Sequence, residues 1–424
     1  MNAMSLAIGA GALLLYSLIS GRLQGTIITA PLAFAAFGLA VGTGGFGVAE
    51  LDFEHGAIHV VAELTLILVL FTDAARIDLR CVRRDHNLPV RMLLVALPLA
   101  VLVGAVIAKW LFPSIMIWEA ALLAALLAPT DAALGQAVVS SKDVPVRIRQ
   151  ALNVESGLND GIVLPAVLLF AALASAGQET ASAGSWVQFV LLQLTLGPLT
   201  GVVLGYLGAR LLDTAAERGW ASAAYQGIGI LAMAVLTYLV AELLGGNGFI
   251  AAFIGGMVFG NCLRHPCTFL FEFMETEGQL LMLITFLVFG AALLPEAIEH
   301  FHPEYVVYAL LSLTVIRMVP VAVSLIGARV RLPTQLFLGW FGPRGLASIL
   351  FVLLVMEEAD VPNHEMLLSI TMITVALSTL LHGVTAAPFA KLYGGMTQRM
   401  GECAENQPVP ELPLREGPMP AIND

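Results

Sequence analysis

Charged side chains are scarce in this chain of 424 residues, in which Asp, Glu, Lys and Arg together make up 12% of the sequence. Soluble domains carry about 25%. Hydrophobic residues make up 58% of the chain, and the mean hydropathy is +0.87. This composition excludes an ordinary soluble protein and predicts an all-α membrane protein that crosses the bilayer many times.

Signatures of several other protein classes are also missing. The sequence has no G-x-x-x-x-G-K-[ST] phosphate loop, which argues against a self-contained ATP-driven pump, and no H-E-x-x-H motif to support enzyme activity. No basic stripe suggests a nucleic acid partner. We therefore expect that the chain is not an enzyme and needs no cofactor. Its driving force should come from another gradient. The few cysteines lie in segments predicted to be cytoplasmic and are expected to bind neither each other nor zinc: Cys81, Cys262, Cys267 and Cys403.

Hydrophobic runs of about 20 residues, bounded by charges or turn residues, predict about thirteen transmembrane spans. If spans one to six and eight to thirteen form two inverted repeats, the fifth and twelfth spans hold equivalent positions. The runs lie near residues 4–22, 26–43, 57–78, 91–112, 116–139, 150–174, 186–212, 221–243, 247–263, 277–294, 304–327, 334–357 and 365–393.

Basic residues concentrate in alternate loops, beginning with Arg80, Arg83 and Arg84 between the third and fourth spans, while the other loops are acidic. Cytoplasmic loops carry the excess of positive charge. We therefore expect a multi-pass protein of the cell (inner) membrane with its N-terminus outside and its C-terminus in the cytoplasm. The tail, residues 401–424, is rich in Pro and Glu and is expected to be disordered.

Two spans contain helix-breaking residues together with a charge. The fifth span holds Ala128-Pro-Thr-Asp131, and the twelfth holds Phe341-Gly-Pro-Arg-Gly345. Breaks at matched positions of two repeats indicate a transport site near the membrane midplane, although each proline alone would only kink a helix. Asp131 would compensate exposed helix N-termini, and the carbonyl groups freed near Thr130 would become available as ion ligands.

The sixth span carries polar residues where lipid tolerates none. Ser156, Asn159 and Asp160 fall on one helical face, and Glu155 lies on an adjoining strip. Carboxylate, hydroxyl and carbonyl oxygens suit hard cations such as sodium. Ser156 by itself is weak evidence, because a membrane serine often bonds its own backbone. With Asp160 one turn away, the face predicts an oxygen-lined ion path.

Two arginines lie in otherwise apolar spans, and each needs a partner or an aqueous cavity. They are Arg317 in the eleventh span and Arg344 at the second break. Glu155 is the natural partner for one of them. We favour Arg317, which leaves Arg344 to face helix ends at the crossing. Asp73, at the end of the third span, either joins the site or is simply solvated beside Arg76.

The remaining titratable residues in or near the spans carry weaker signals. Glu63, Glu119 and Glu242 lack a surrounding group of polar residues, so we expect them at the interface or locally paired. The histidines, including His382, are expected mostly in loops or at helix ends, where they form no metal or catalytic spacing.

The chain resembles the NhaP-type sodium/proton antiporters, the electroneutral branch of the monovalent cation/proton antiporter superfamily. The resemblance covers nearly all of residues 1–395. It rests on four features that occur in order on the fifth, sixth, eleventh and twelfth spans: Ala128-Pro-Thr-Asp131, Glu155-Ser-Gly-Leu-Asn-Asp160, Arg317 and Gly342-Pro-Arg-Gly345.

The resemblance implies a homodimer with two kinds of domain. Residues 1–78 and 186–294, which hold helices 1–3 and 7–10, would form the interface domain. Residues 91–174 and 304–393, which hold helices 4–6 and 11–13, would form the transport core. Helices 5 and 12 would be the broken crossing helices.

The resemblance also implies roles for individual residues. The carboxylate of Asp160 would bind the cation and the proton, and Asp73 stands where the family often has a glutamate ligand. Sodium would be bound by the side chains of Asp160, Ser156 and Asp73 and by the main chain of Thr130. The residues that would shape access or balance the crossing are Asn159, Glu155, Asp131, Arg317 and Arg344.

The function implied is exchange of Na⁺ or Li⁺ for H⁺, because a cation and a proton compete for Asp160. The single exchangeable charge of the Asn159-Asp160 pair indicates electroneutral exchange. Exchange of K⁺ for H⁺ is the alternative, since oxygen ligands alone do not determine ionic radius. A cation channel or a membrane sensor is the alternative from a different class, against which the paired broken helices argue.

Overall fold

The computed structural model describes residues 3–23, 26–48, 55–77, 79, 87–131, 134–176, 183–264, 277–399 and 405. Across these residues every regular element is helical, as the hydrophobic runs predict. The helices, named here in chain order, are α1 Ala3–Leu23, α2 Ala30–Val41, α3 His55–Ala75, α4 Asn87–Leu111, α5 Ile117–Leu126, α6 Gln136–Val139, α7 Val146–Ala176, α8 Ala183–Glu217, α9 Ala223–Leu243, α10 Gly248–Cys262, α11 Gly278–Glu299, α12 Pro303–Ser324, α13 Leu332–Trp340, α14 Leu346–Glu358 and α15 His364–Arg399.

Helical segments occupy all thirteen predicted runs. Among the described residues, seven helices are long and apolar enough to cross a membrane, and five shorter helices are also apolar. The seven are α4, α7, α8, α9, α11, α12 and α15. The fifth and twelfth runs each contain two short helices, α5 with α6 and α13 with α14, separated where the sequence predicts a break.

Two helices contain a π-helical turn that the sequence did not predict. These turns span Met92–Ala96 in α4 and Phe289–Leu293 in α11. In each helix, the second residue after this turn is a proline, Pro98 in α4 and Pro295 in α11. Because proline has no backbone N–H, it cannot continue the regular hydrogen-bond ladder, and the wider turn takes up the mismatch.

Glycines bring α10 into backbone contact with α3. A Cβ on Gly256 would overlap the carbonyl oxygen of Phe71, and one on Gly260 would overlap that of Ala75. Small residues allow membrane helices this close approach. Asn261 continues the contact by donating its amide to the carbonyl of Ile77 at 2.8 Å. The C-terminal end of α3, which carries Asp73, is therefore held firmly against α10.

The predicted disordered tail is described at one residue. Glu405 is fully buried, and its Oε1 accepts hydrogen bonds from the Arg331 backbone N–H at 2.8 Å and the Thr334 hydroxyl at 3.0 Å. The carboxylate caps the N-terminus of α13, where negative charge is favoured. The rest of 401–424 lies outside the described residues.

Candidate functional site

The two breaks meet, and Asp131 joins them. The Asp131 backbone N–H donates to the carbonyl of Pro343 at 2.8 Å. Its Oδ2 accepts from the backbone N–H of Leu346, the first residue of α14, at 2.9 Å. A Cβ on Gly345 would overlap this carboxylate, so only glycine fits there. The Asp131 charge therefore faces a helix N-terminus, the arrangement that the sequence argument requires.

Arg344 holds the crossing from the other break. Its side chain is fully buried, and Nη1 donates to the carbonyl of Gly342 at 3.0 Å and more weakly to that of Pro129 at 3.4 Å. Its backbone N–H donates to the hydroxyl of Ser378 on α15 at 2.7 Å. Arg344 thus satisfies carbonyl groups that the broken helices leave without helical partners.

A polar chain connects α7 to the fifth-span break. Asn159 donates its amide to the Thr130 hydroxyl at 2.6 Å, and the Thr130 and Ser156 hydroxyls lie 3.0 Å apart. Asn159 and Thr130 are almost completely buried. The predicted face of α7 therefore does turn toward Thr130. The amide of Asn159 is used to hold the break, which the sequence alone did not indicate.

Asp160 lies beside this chain with an unsatisfied oxygen. Its Oδ1 is buried and has no hydrogen-bond partner among the described residues, and the same holds for Oδ1 of Asn159. Asp73 and Asp131 lie within electrostatic range of Asp160. A buried carboxylate oxygen without a donor is costly. A cation or a proton would remove this cost and would also offset the negative charges of Asp73 and Asp131.

Of the two arginines, Arg317 is the one that pairs with Glu155. Its two terminal nitrogens each contact one Glu155 oxygen, and the Nη2 to Oε2 distance is 2.7 Å. Both side chains are at most 3% exposed. A Cβ on Gly342 would overlap the Arg317 guanidinium, so this arginine also lies directly against the second break. The pair links α7 and α12 to the crossing.

Of the other titratable residues, His382 departs from expectation, whereas Glu119 meets one of its two alternatives. His382 lies buried in the interior of α15 rather than in a loop or at a helix end. His382 lies within an uninterrupted hydrophobic run, four residues after Ser378. This spacing puts both residues on one helical face, and it is the sequence feature that indicates a shared contact surface. Glu119 is fully buried rather than interfacial. It is locally paired, as the other alternative held, and accepts from the Met116 N–H at 2.7 Å and the Asn363 amide at 2.8 Å.

The chain is similar in sequence to two bacterial antiporters. It is 25% identical over 388 residues to the K⁺/H⁺ antiporter NhaP of Alkalimonas amylolytica, covering 88% of this chain and 64% of that protein. It is 26% identical over 371 residues to the K⁺/H⁺ antiporter NhaP2 of Shewanella oneidensis, covering 85% and 62% respectively. The chain thus spans somewhat less than two thirds of the length of these curated relatives.

A solved structure shares the fold. The sodium proton antiporter MjNhaP1 from Methanocaldococcus jannaschii aligns with a TM-score of 0.78 at 19% identity, covering 94% of this chain and 99% of that one. At this identity the likeness concerns the fold. It agrees with the all-α architecture that the sequence predicts.

The family itself is shown by its sequence pattern. The family described as "Sodium/hydrogen exchanger, transmembrane" matches residues 9–392, which is most of the chain. The matched range includes both breaks, the polar face of α7 and the pair of Glu155 and Arg317. The match confirms the resemblance that those motifs indicate. With its apolar helices, this multi-pass membrane protein belongs to the sodium/hydrogen exchanger family.

Proposed function

We propose that this chain exchanges a monovalent cation for protons across a membrane by alternating access. The observation that carries the proposal is Oδ1 of Asp160, a buried carboxylate oxygen without a donor beside two crossing broken helices. A cation and a proton would satisfy the same oxygen and would exclude each other there. Mutual exclusion couples the two fluxes without ATP.

The ligand set that we propose is Asp160, Ser156, the main chain at Thr130, and Asp73. Oxygens of these types suit hard monovalent cations. Two further carboxylates have other partners: Glu155 is paired with Arg317, and Asp131 faces the N-terminus of α14. One proton per monovalent cation follows if Asp160 alone changes its charge, so the exchange would be electroneutral.

We propose Na⁺ or Li⁺ as the first substrate candidate, in keeping with the description of the family. K⁺ is the second candidate, and the observation in its favour is that both bacterial relatives named above are K⁺/H⁺ antiporters. The polar groups at the crossing fit either ion. A channel or a sensor is less well supported, because an orphaned oxygen at paired breaks fits a site that is emptied and refilled.

The movement that we propose separates two groups of helices. Helices α4–α7 and α12–α15 would form the transport core, because the contacts Asn159 to Thr130, Glu155 to Arg317 and Asp131 to Leu346 all lie within that group. Helices α1–α3 and α8–α11 would form the interface domain of a homodimer. Asp73 belongs to the second group, so the ion would bind at the boundary along which the core slides.

The test is pH-dye fluorescence in proteoliposomes that contain the purified protein in a cell-membrane-like lipid. Na⁺, Li⁺ and K⁺ are added in turn, with and without a clamp on the membrane potential. We expect a saturable signal that is insensitive to the clamp. Asp160→Asn is expected to abolish the signal, and Asp143→Asn, a carboxylate outside the proposed site, is the matched control.

The outcomes separate the candidates. A response to Na⁺ and Li⁺ alone selects the first substrate, whereas a K⁺ response selects the second. Flux that follows the potential without obligatory proton movement would replace the antiporter with a channel. Full exchange by Asp160→Asn would overturn the assignment of the binding carboxylate.

A further inference from the structure

One turn of α15 contacts both sides of the break between α13 and α14. His382 Nε2 lies 2.9 Å from the carbonyl oxygen of Trp340, the last residue of α13. The hydroxyl of Ser378 accepts the backbone N–H of Arg344, on the α14 side of the break, at 2.7 Å. Ser378 and His382 are four residues apart and therefore lie on the same helical face.

The hydrogen bonds of His382 determine which nitrogen carries the proton. Because a carbonyl oxygen only accepts, Nε2 must donate to Trp340. Nδ1 lies 3.2 Å from the Ser378 hydroxyl and 3.0 Å from the Ser378 carbonyl. In the neutral ring, Nδ1 accepts from the Ser378 hydroxyl. A continuous chain of donors and acceptors then runs from Arg344 through Ser378 and His382 to Trp340.

The side chains of this hydrogen-bonded chain are buried, so water does not replace their partners. Ser378 is fully buried and His382 is 1% exposed. The Trp340 ring lies over the imidazole at a centroid distance of 5.1 Å, and its Nε1 donates to the Thr385 hydroxyl at 3.0 Å. The Trp340 carbonyl also accepts the backbone N–H of Gly342 at 2.8 Å, so loss of the His382 ring removes one of the two donors that the described residues supply to it. The same loss leaves the buried Ser378 hydroxyl without its acceptor, which costs free energy. The end of α13 is therefore fastened to α15.

The fastened break is the one that supports the candidate ion site. Pro343 accepts the backbone N–H of Asp131, and Arg344 reaches the carbonyl of Pro129. These two contacts flank Thr130, whose main chain we assign to the cation. Displacement of the second break would thus displace the Thr130 end of the site.

We propose that His382 and Ser378 are positioning residues, which hold the second broken helix at both sides of its break and so set the geometry of the cation site on the first. This inference rests on the proposed exchange function for its transport readout. Neither residue belongs to the proposed ligand set. Their effect passes through Trp340 and Arg344 to the crossing.

The test compares two replacements of His382. In His382→Gln, the side-chain amide can donate to Trp340 and its oxygen can accept from Ser378, whereas His382→Leu can do neither. Thr374→Val is the matched control, because Thr374 is buried in the same helix and, among the described residues, its hydroxyl bonds only to the Ile370 carbonyl of its own helix. All three are measured in proteoliposomes beside the unmodified protein.

We expect His382→Leu to raise the apparent KM for the cation about tenfold, which is the effect of one buried hydrogen bond left unmade. The maximal rate should change less. His382→Gln should restore the apparent KM to within about threefold and keep the pH profile of the unmodified protein, since the proposal needs hydrogen bonds and no titration of the ring. Thr374→Val should behave like the unmodified protein.

A second measurement does not depend on transport. Hydrogen exchange of the backbone amides between 341 and 346 should accelerate about tenfold in His382→Leu and Ser378→Ala, but not in Thr374→Val. If the unmodified protein moves no protons, the exchange function fails while this measurement still tests the fastening. If His382→Leu does not fold, Ser378→Ala provides both readouts.

Two results would overturn the proposal. One is unchanged amide exchange and an unchanged apparent KM in His382→Leu. The other is a His382→Gln variant as defective as His382→Leu, which would assign the effect to the shape of the ring rather than to its hydrogen bonds.

Discussion

The buried ion pair of Glu155 and Arg317 allows the change in the free energy of unfolding on substitution to be worked out from the structure. In Arg317→Met, the Glu155 carboxylate stays buried without its cation, which costs about 3–5 kcal/mol. In the double variant Glu155→Leu with Arg317→Met, no charge is left uncompensated, and most of that cost should disappear. The coupling free energy is then about 2 kcal/mol or more, well above the ~0.6 kcal/mol average of hydrogen bonds between membrane helices.

The chain offers a matched control for this experiment. Arg264 and Glu217 also form an ion pair, at 3.7 Å, but their side chains are 61% and 44% exposed. Water screens such a pair, so Arg264→Gln should cost less than about 1 kcal/mol. The two pairs have the same charges and differ in burial, which is the variable that the prediction uses.

The assay is thermal melting of the purified variants in one detergent and lipid mixture. For a chain of this size, 1 kcal/mol corresponds to about 2 °C. We expect Arg317→Met to lower Tm by about 6–10 °C, the double variant by less than half of that, and Arg264→Gln by less than about 2 °C. Equal falls for the single and double variants, or an Arg317→Met no worse than Arg264→Gln, would refute the reasoning.

Three further predictions concern the site. Gly345→Ala should lower Tm and abolish exchange, because the new Cβ meets the Asp131 carboxylate, while Gly395→Ala, which faces open space, should leave both unaffected; equal behaviour of the two would contradict the crossing geometry. Asp73→Asn should raise the apparent KM for the cation about tenfold in the pH-dye assay without abolishing exchange, since it removes one charge near Asp160; an unaltered KM would remove Asp73 from the site. Lowering the pH should raise the apparent KM, because protonation of Asp160 excludes the cation, and saturating cation should restore the rate; a KM independent of pH would contradict competition.

Much of the candidate site could be inferred from local sequence. The spacing of Ser156, Asn159 and Asp160 puts them on one helical face whatever surrounds them. The prolines and glycines at the two breaks end helices for reasons contained in those residues themselves. Asp131 could be assigned to a helix N-terminus because the break next to it must expose one.

Other contacts could not be inferred, because they join residues distant in the chain. Asn159 donates its amide to the Thr130 hydroxyl, and only the approach of α7 to the break determines this contact. The spacing of Ser378 and His382 puts them on one helical face, but their contacts with the second break exist only because α15 lies along it. Glu405 caps an N-terminus 74 residues away in the chain, and composition does not reveal such a contact.

The sequence by itself determined the class of protein, the positions of the helices, the two breaks and the polar face of α7. These follow from the cost of charge and unpaired backbone groups in a bilayer, which each residue carries wherever it lies. Only the tertiary structure decided that Glu155 pairs with Arg317, 162 residues away, that the charge of Asp73 acts on Asp160, and that α15 contacts both sides of the second break. Those choices depend on which helices pack together, and many partners satisfy the same local rules until packing selects one.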